Sequence, residues 1–478
     1  MMLDRVMTVL LMDAVNLHLP AGTLVHDNPD ELLPDTLALM TDSAPPTHGA
    51  SVLRLIVSSP LTLWAAFVAV HLWLGILALY APGLPLGDVT LVYKFWIDQA
   101  LTGGVWVGID TSWVYPIVAL VPMLVAGMFG PDQYGATWLS MVMLLNAVAF
   151  GFVTGWGRRH ERVAVGWWWV AFLLLLGPIA LARIDSVTVP IALVGVLLLA
   201  ARPFLAAILL AVATWIKVWP AALVLAAIIA VRERLRVIAG AAILSAGVLV
   251  LAILVGASGS VLSFITEQTG RGLQIEAPIS TIWMWMAKAG VVGSSVYYDT
   301  GILTYQVTGP GADVAAALTT PMLGIAVVGI SLLGAVALRR GAATGDLLAP
   351  LALALVTALI AFNKVGSPQF VSWLAVPVVL GLATSAAGWG RPFRTPAVLV
   401  LVIAGLTQLV YPYFYGWLLG LDVIMLSVLS VRNILYFVVL GWAVYAIVTA
   451  ARWSDNPVVT ETGEHAVWPL DRPETLRG

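Results

Sequence analysis

The sequence contains no cysteine, which excludes disulfides, thiolate metal sites and cysteine nucleophiles and leaves the redox compartment open. Charged residues fill only 10% of its 478 positions, too few to keep most of its surface in water. Its six histidines do not cluster. His18, His26, His48 and His465 lie in the terminal stretches, His160 in a short connection and His71 within an apolar run, so no histidine group is placed to hold a metal. A net charge of -2 and basic residues dispersed over several loops give no reason to expect nucleic acid. The composition implies no cofactor. The chemistry left to the chain is that of carboxylates, hydroxyls, amides and a few bases.

What is abundant is apolar: 61% of the residues, with a mean hydropathy of +0.98. That composition needs lipid, and the fold class expected is an all-α polytopic membrane protein. A hydrocarbon core of about 30 Å takes roughly 17 to 25 helical residues to cross. Spans are expected near 60–80, 134–156, 163–181, 186–201, 204–219, 220–231, 237–258, 314–338, 347–362, 369–387, 396–413 and 433–450, about twelve in all. The fourth to sixth are short and punctuated by Pro190, Pro203 and Pro220, as in tilted or broken helices packed inside a bundle. Residues 1–53 are polar, proline-containing and read as a disordered cytoplasmic segment. Met40 offers an alternative translation start, which would make part of that segment a gene-model extension. The multispanning domain runs over 54–452, and 453–478 form a second polar cytoplasmic tail.

The charges are sorted along this pattern. Arginine-rich connections fall at every second gap: Arg158, Arg159 and Arg162; Arg202; Arg232, Arg234 and Arg236 around Glu233; Arg339 and Arg340; Arg391 and Arg394. The intervening gaps hold Asp88, Lys94, Asp98, Asp110, Arg183, Asp185, Lys217, Glu267, Arg271, Glu276, Lys288, Asp299 and Lys364. By the positive-inside rule the arginine-rich face is cytoplasmic and the other extracytoplasmic. Counting 114–130 as a further span would reverse every later loop, so this apolar stretch is expected to lie along the outer interface, as is the amphipathic run from Asp88 to Thr102. The first and fourth extracytoplasmic loops, about 81–133 and 259–313, are long enough to carry function. Most of the twenty tryptophans fit an interfacial belt; Trp96, Trp106, Trp113, Trp283 and Trp285 lie in the long loops, where a substrate would be near.

Asp88, after Gly87, is the first candidate. A carboxylate at a membrane surface beside apolar walls is partly desolvated, the setting in which carboxylates act as general bases; the alternative is an N-cap of the next helix. Arg271-Gly272-Leu273-Gln274-Ile275-Glu276 offers a guanidinium fork suited to phosphate and two side chains suited to hydroxyls, or else a solvated loop with an Arg271–Glu276 pair. Lys217, Lys364 and Arg432 stand at similar depths at span ends, where cations are affordable by snorkelling. Converging opposite the acidic loops, they form a place for an anionic lipid head group. Arg183 and Asp185, two apart, read as a local ion pair, the alternative being that they form part of that site.

Gly87-Asp88 with Tyr93, Trp113-Val114-Tyr115-Pro116, Lys217-Val218-Trp219-Pro220, Arg271 to Glu276, and Ser367-Pro368-Gln369-Phe370 with Trp373, in that order, resemble the polyprenol-phosphate-mannose-dependent glycosyltransferases of family 87 in their actinobacterial form. These are multispanning enzymes of the C-type architecture, and the similarity runs over about residues 60 to 450. The resemblance implies a mannose carried on polyprenyl phosphate and a glycolipid or envelope-glycan acceptor at the outer face of the plasma membrane. It implies an inverting displacement with Asp88 as the catalytic base. Arg271, Lys217, Lys364 and Arg432 would bind the donor phosphate, and Tyr93, Tyr115, Gln274, Glu276 and Gln369 the substrate. No cofactor is implied; the missing external histidines argue against a metal, although carboxylates such as Asp88 and Asp299 could bind a divalent ion, and a lipid-borne donor accords with the absence of a glycine-rich phosphate loop. Two positions depart from the family pattern: Ile117 where a second proline often follows Tyr115-Pro116, and Ala277 where a serine often follows the acid. The rival class, a transporter or flippase of amphiphiles, predicts midplane charges and inverted repeats. The polar groups gather instead at helix ends.

Overall fold

The computed structural model describes residues 58–267 and 270–454; the terminal segments expected to be disordered lie outside them apart from Trp453 and Ser454, which end a short helix. Each expected span has a helix: α1 (Pro60–Tyr80), α2 (Tyr134–Thr154), α3 (Val163–Leu176), α4 (Asp185–Leu198), α5 (Pro203–Ile216), α6 (Ala221–Ala230), α7 (Arg234–Leu254), α8 (Ala312–Arg339), α9 (Thr344–Ala361), α10 (Val371–Ala386), α11 (Arg394–Gln408) and α12 (Val423–Val448). Among the described residues, nine helical stretches are long and apolar enough to cross a membrane. The exceptions are α4, α5 and α6. Pro190 lies inside α4, while Pro203 opens α5 and Pro220 immediately precedes α6. The architecture is that of an all-α polytopic membrane protein.

Burial divides the bundle. Helices α9 and α10 are enclosed almost throughout, with α9 packed on α6, α8, α10 and α12, and α10 on α4. By contrast, α7 and α8 turn most of their length outward, exposing Ile243, Leu251, Leu254, Ile325, Val328 and Leu332. An aliphatic surface of that extent suits hydrocarbon, not water.

The long connections are ordered. After α1, a π-helical turn (Asp88–Tyr93), which exposes Leu91, runs into a short helix (Lys94–Gly103) that buries Ile97 and Ala100 and exposes Phe95 and Leu101. The apolar stretch that was not counted as a span forms only a ten-residue helical segment, Ile117–Ala126. At 1.5 Å per residue it is about 15 Å long, half of a hydrocarbon core, and it lies against α2 and α5. Between α7 and α8 stands a three-stranded antiparallel sheet in the order β1 (Leu273–Gln274), β3 (Thr304–Thr308), β2 (Ser295–Asp299). Leu273 pairs with Val307, and Tyr297 with Gln306. Such short strands leave little alternation for a sequence reading to find.

One correction concerns α12. It begins at Val423, ten residues before the expected span, where Asp422 caps it by accepting hydrogen bonds from Ile424 N (2.9 Å) and Met425 N (3.0 Å). Arg432 is therefore inside the helix instead of before it.

Candidate functional site

The polar side chains expected to act meet at one end of the bundle, where α1, α5 and α9 finish and α4, α10 and α12 start. Asp88 opens the π-helical turn but caps nothing: Val89 N and Thr90 N both donate to Leu86 O. With those donors satisfied, the Asp88 carboxylate is free to turn to Arg183, whose Nε lies 2.9 Å from Oδ2. Arg183 is 8% exposed and Asp88 40%, so a buried cation holds a carboxylate that substrate can reach. The guanidinium is itself fixed, donating from Nη1 to Pro85 O and Ala182 O and from Nη2 to the Tyr411 hydroxyl at 3.1 Å.

Asp185, the first residue of α4, does not pair with Arg183. Residues two apart on a helical turn face different ways, and Asp185 turns to the end of α5, where Lys217 Nζ lies 2.7 Å from Oδ2. Trp373 Nε1 donates to Oδ1 at 2.5 Å. The Lys217 ammonium lies 5.7 Å from the Tyr115 ring centre, 5.2 Å from Phe370 and 5.8 Å from Trp373, within range of cation–π attraction. Trp373 stacks at 5.5 Å and 6° on Trp219, whose indole donates to Thr188 Oγ1. The Tyr93 and Tyr115 hydroxyls approach to 3.5 Å, and Tyr93 also accepts from Ile184 N. Burial pushes both phenols above their ordinary range, so they are neutral hydrogen-bonding groups.

The loop carrying Arg271 to Glu276 is anchored from behind. Glu276 and Arg432, both almost fully buried, meet at 2.7 Å; Arg432 also donates from Nη2 to the Glu276 carbonyl at 2.8 Å and to Asn433 Oδ1 at 3.0 Å. Asn433 donates onward to Thr281. Glu276, expected at a sugar, is thus turned to Arg432, and Arg432, expected at a phosphate, is paired with Glu276. Nor do Arg271 and Glu276 form the pair that was the alternative reading of this loop.

On its other side the loop rests on the turn after α9. Gln274 N donates to Lys364 O at 3.0 Å, and a Cβ on Gly366 would lie 2.0 Å from Ala277 N, so only glycine admits this approach. Gln274 and Lys364 are buried. Gln369 is buried in the turn that starts α10, next to Phe370. Arg271 is partly buried, and among the described residues its Nε is a buried donor without a hydrogen-bond partner. Desolvation pulls its pKa down, with Tyr115, Glu267 and Asp299 near enough to oppose that. Desolvation and the nearby Arg271 likewise lower Lys364.

The tryptophans of the long loops are mostly structural. Trp113 is buried, while Trp283 donates to Pro310 O and Trp285 to Ser430. Asp299 closes its own hairpin, accepting from Gly301 N, Ile302 N and Gln306. Among the described residues, no three His, Asp or Glu side chains are grouped to hold a metal. Sequence reasoning had seen Arg183 and Asp185 without their partners, and missed Tyr411 and Asn433 altogether. The two-residue spacing on a helix start was the usable sign for the first pair; for the others there was none.

The arrangement therefore offers an accessible carboxylate, held by a buried arginine, beside a water-poor group of cations and aromatic rings. The sequence model of glycosyltransferase family 87 matches residues 113–362, more than half of the chain. That stretch contains Tyr115, Arg183, Asp185, Lys217, Arg271, Gln274 and Glu276, and leaves Asp88, Lys364, Gln369 and Arg432 outside. No curated protein and no solved structure matches the chain.

Proposed function

Since the chain belongs to glycosyltransferase family 87 and is thus a membrane glycosyltransferase, we propose that it transfers mannose from polyprenyl phosphate to a lipid-linked or envelope glycan at the extracytoplasmic face of the plasma membrane. The carrying observation is the 40% exposed Asp88 carboxylate held at 2.9 Å by buried Arg183. In the reaction an acceptor hydroxyl gives its proton to Asp88 as its oxygen attacks the anomeric carbon. The bond from that carbon to the phosphate oxygen breaks, the configuration inverts, and polyprenyl phosphate leaves.

A phosphate leaving group gathers negative charge as the bond breaks, and preorganised donors in a water-poor site stabilise that charge better than water does. Arg271 supports this role most directly, because among the described residues its buried Nε has no hydrogen-bond partner. Lys364 adds positive charge close by, and Lys217 a cation already held in place. The two tyrosine hydroxyls and Gln369 are the groups we assign to substrate hydroxyls, with Gln274 setting the loop. Family membership leaves the transporter reading without support.

The test is transfer from synthetic polyprenyl-phosphate-mannose to lipids in membranes containing the wild-type chain or Asp88→Asn, followed by mass spectrometry. A hexose added only by wild type, with a loss of about 10²- to 10⁴-fold in the variant, is the result expected when a general base is removed. Near-normal transfer by Asp88→Asn would refute the base. Absence of transfer with both would reject this donor.

A further inference from the structure

We infer that the tripeptide Arg183-Ile184-Asp185 is a two-ended positioning element, setting the candidate base with one end and the candidate phosphate cation with the other. The inference rests on the donor and base assigned above and adds residues to which no role was given.

Each end is built for its partner. Arg183 spends Nη1 and Nη2 on Pro85, Ala182 and Tyr411, which leaves Nε aimed at Asp88. Asp185, 1% exposed, spends one oxygen on Trp373 and presents the other to Lys217. Between them, Ile184 N donates to the Tyr93 hydroxyl at 3.3 Å. Tyr93 lies at the far end of the same π-helical turn as Asp88, and its hydroxyl meets that of Tyr115, whose ring lies beside Lys217. The contacts thus close a circuit: Asp88, Arg183, Ile184, Tyr93, Tyr115, Lys217, Asp185 and back along the chain.

Burying one member of each of two ion pairs, Arg183 and Asp185, two residues apart costs more desolvation than a structural link requires. Their arrangement fixes a separation: a base must meet the acceptor on one side of the sugar while the cation meets the phosphate on the other, and positional error of an ångström costs rate steeply. Neither Arg183 nor Asp185 touches substrate in this scheme; each acts through its partner.

The experiment measures donor KM and kcat for the full chain in proteoliposomes with synthetic polyprenyl-phosphate-mannose. Asp185→Asn keeps an acceptor for Trp373 but releases Lys217, and should raise donor KM roughly 10-fold, the scale of one charge-assisted hydrogen bond, with a smaller change in kcat. Arg183→Gln should lower kcat by about 10-fold or more and leave donor KM within about 2-fold.

A merely structural role would move both parameters together in both variants, and that result overturns the inference. Asp185→Asn combined with Lys217→Met carries no lone buried charge at this pair and remains informative even where the single variant fails to fold. It should match Lys217→Met alone, because residues acting as a unit are not additive; an additional 10-fold loss in the double variant would overturn the Asp185 end. If wild type transfers nothing from this donor, the reading of the reaction falls and the inference with it, whereas wild-type transfer with proportionate variant losses removes the inference alone.

Discussion

The residues of the site differ in how firmly their charge is committed, and that difference sets their pH behaviour and mutational cost. Lys364 is held below the usual lysine range by desolvation and by Arg271. A cation so depressed loses its proton earlier as pH rises, so kcat/KM for the donor should fall on the alkaline side before an ordinary lysine would titrate. Lys364→Arg, whose guanidinium keeps its charge, should move that fall to higher pH; a pH–rate profile unchanged by the substitution would remove Lys364 from donor binding. Arg432 presents the opposite case. Removing it strands Glu276 in a buried site, and Arg432→Met should cost about 3–5 kcal/mol of stability, measured by thermal denaturation in detergent against Arg432→Met combined with Glu276→Gln, which should recover most of the loss. The residues of both groups were legible in the sequence. Their pairings were not: Arg432 and Glu276 are 156 positions apart, and no periodicity encodes which cation answers which acid across that distance.

At the level of elements, hydropathy found the place of every long helix because lipid imposes one length and one composition on them. It misplaced the start of α12, where Arg432 and Asn433 looked like a boundary; their partners on the loop make them affordable within the helix. The sheet between α7 and α8 and the π-helical turn at Asp88 escaped notice because each depends on contacts with other segments. Irregular helical turns of this kind often accompany functional sites, and here the turn places Asp88 and Tyr93 on the same circuit. The packing of the loop on the turn after α9 is open to a direct test at Gly366. A methyl group there would meet the backbone of Glu276 and Ala277 at 2.0 to 2.5 Å, and backbone cannot swing aside as a flexible side chain does. Gly366→Ala should push the loop off the turn and lower both thermal stability and transfer, whereas Gly104→Ala, at a glycine with nothing within 4 Å of its added Cβ, should pay only for its positive φ. Equal effects of the two substitutions would show that the close approach at Gly366 is unimportant.

For the molecule as a whole, the candidate site and the arginine-rich connections occupy opposite ends of the bundle. The site end is tied by Lys217 to Asp185, Trp373 to Asp185 and Arg432 to Glu276. The arginine end is tied by Thr344 to Ala230 O and by Arg391 to Thr449. A bundle with chemically different ends has a preferred orientation, and by the positive-inside rule the excess of Arg near short connections would direct that end to the cytoplasm. In the proposed reaction the site faces outward, where a nucleotide sugar is scarce and a lipid-borne donor is the sensible supply. Because the chain has no cysteine, a single introduced thiol reports its own side without background. Val292→Cys is placed in the loop between α7 and α8, where the native side chain is 91% exposed. Glu233→Cys lies between Arg232 and Arg234 in an exposed connection and does not reduce the positive charge that orients the chain. A membrane-impermeant maleimide should label Val292→Cys in intact cells and Glu233→Cys only after the membrane is opened. The reverse pattern would place the base and its cations at the cytoplasmic face and reject an extracytoplasmic reaction, while labelling of both from outside would break the assignment of the two ends to opposite faces.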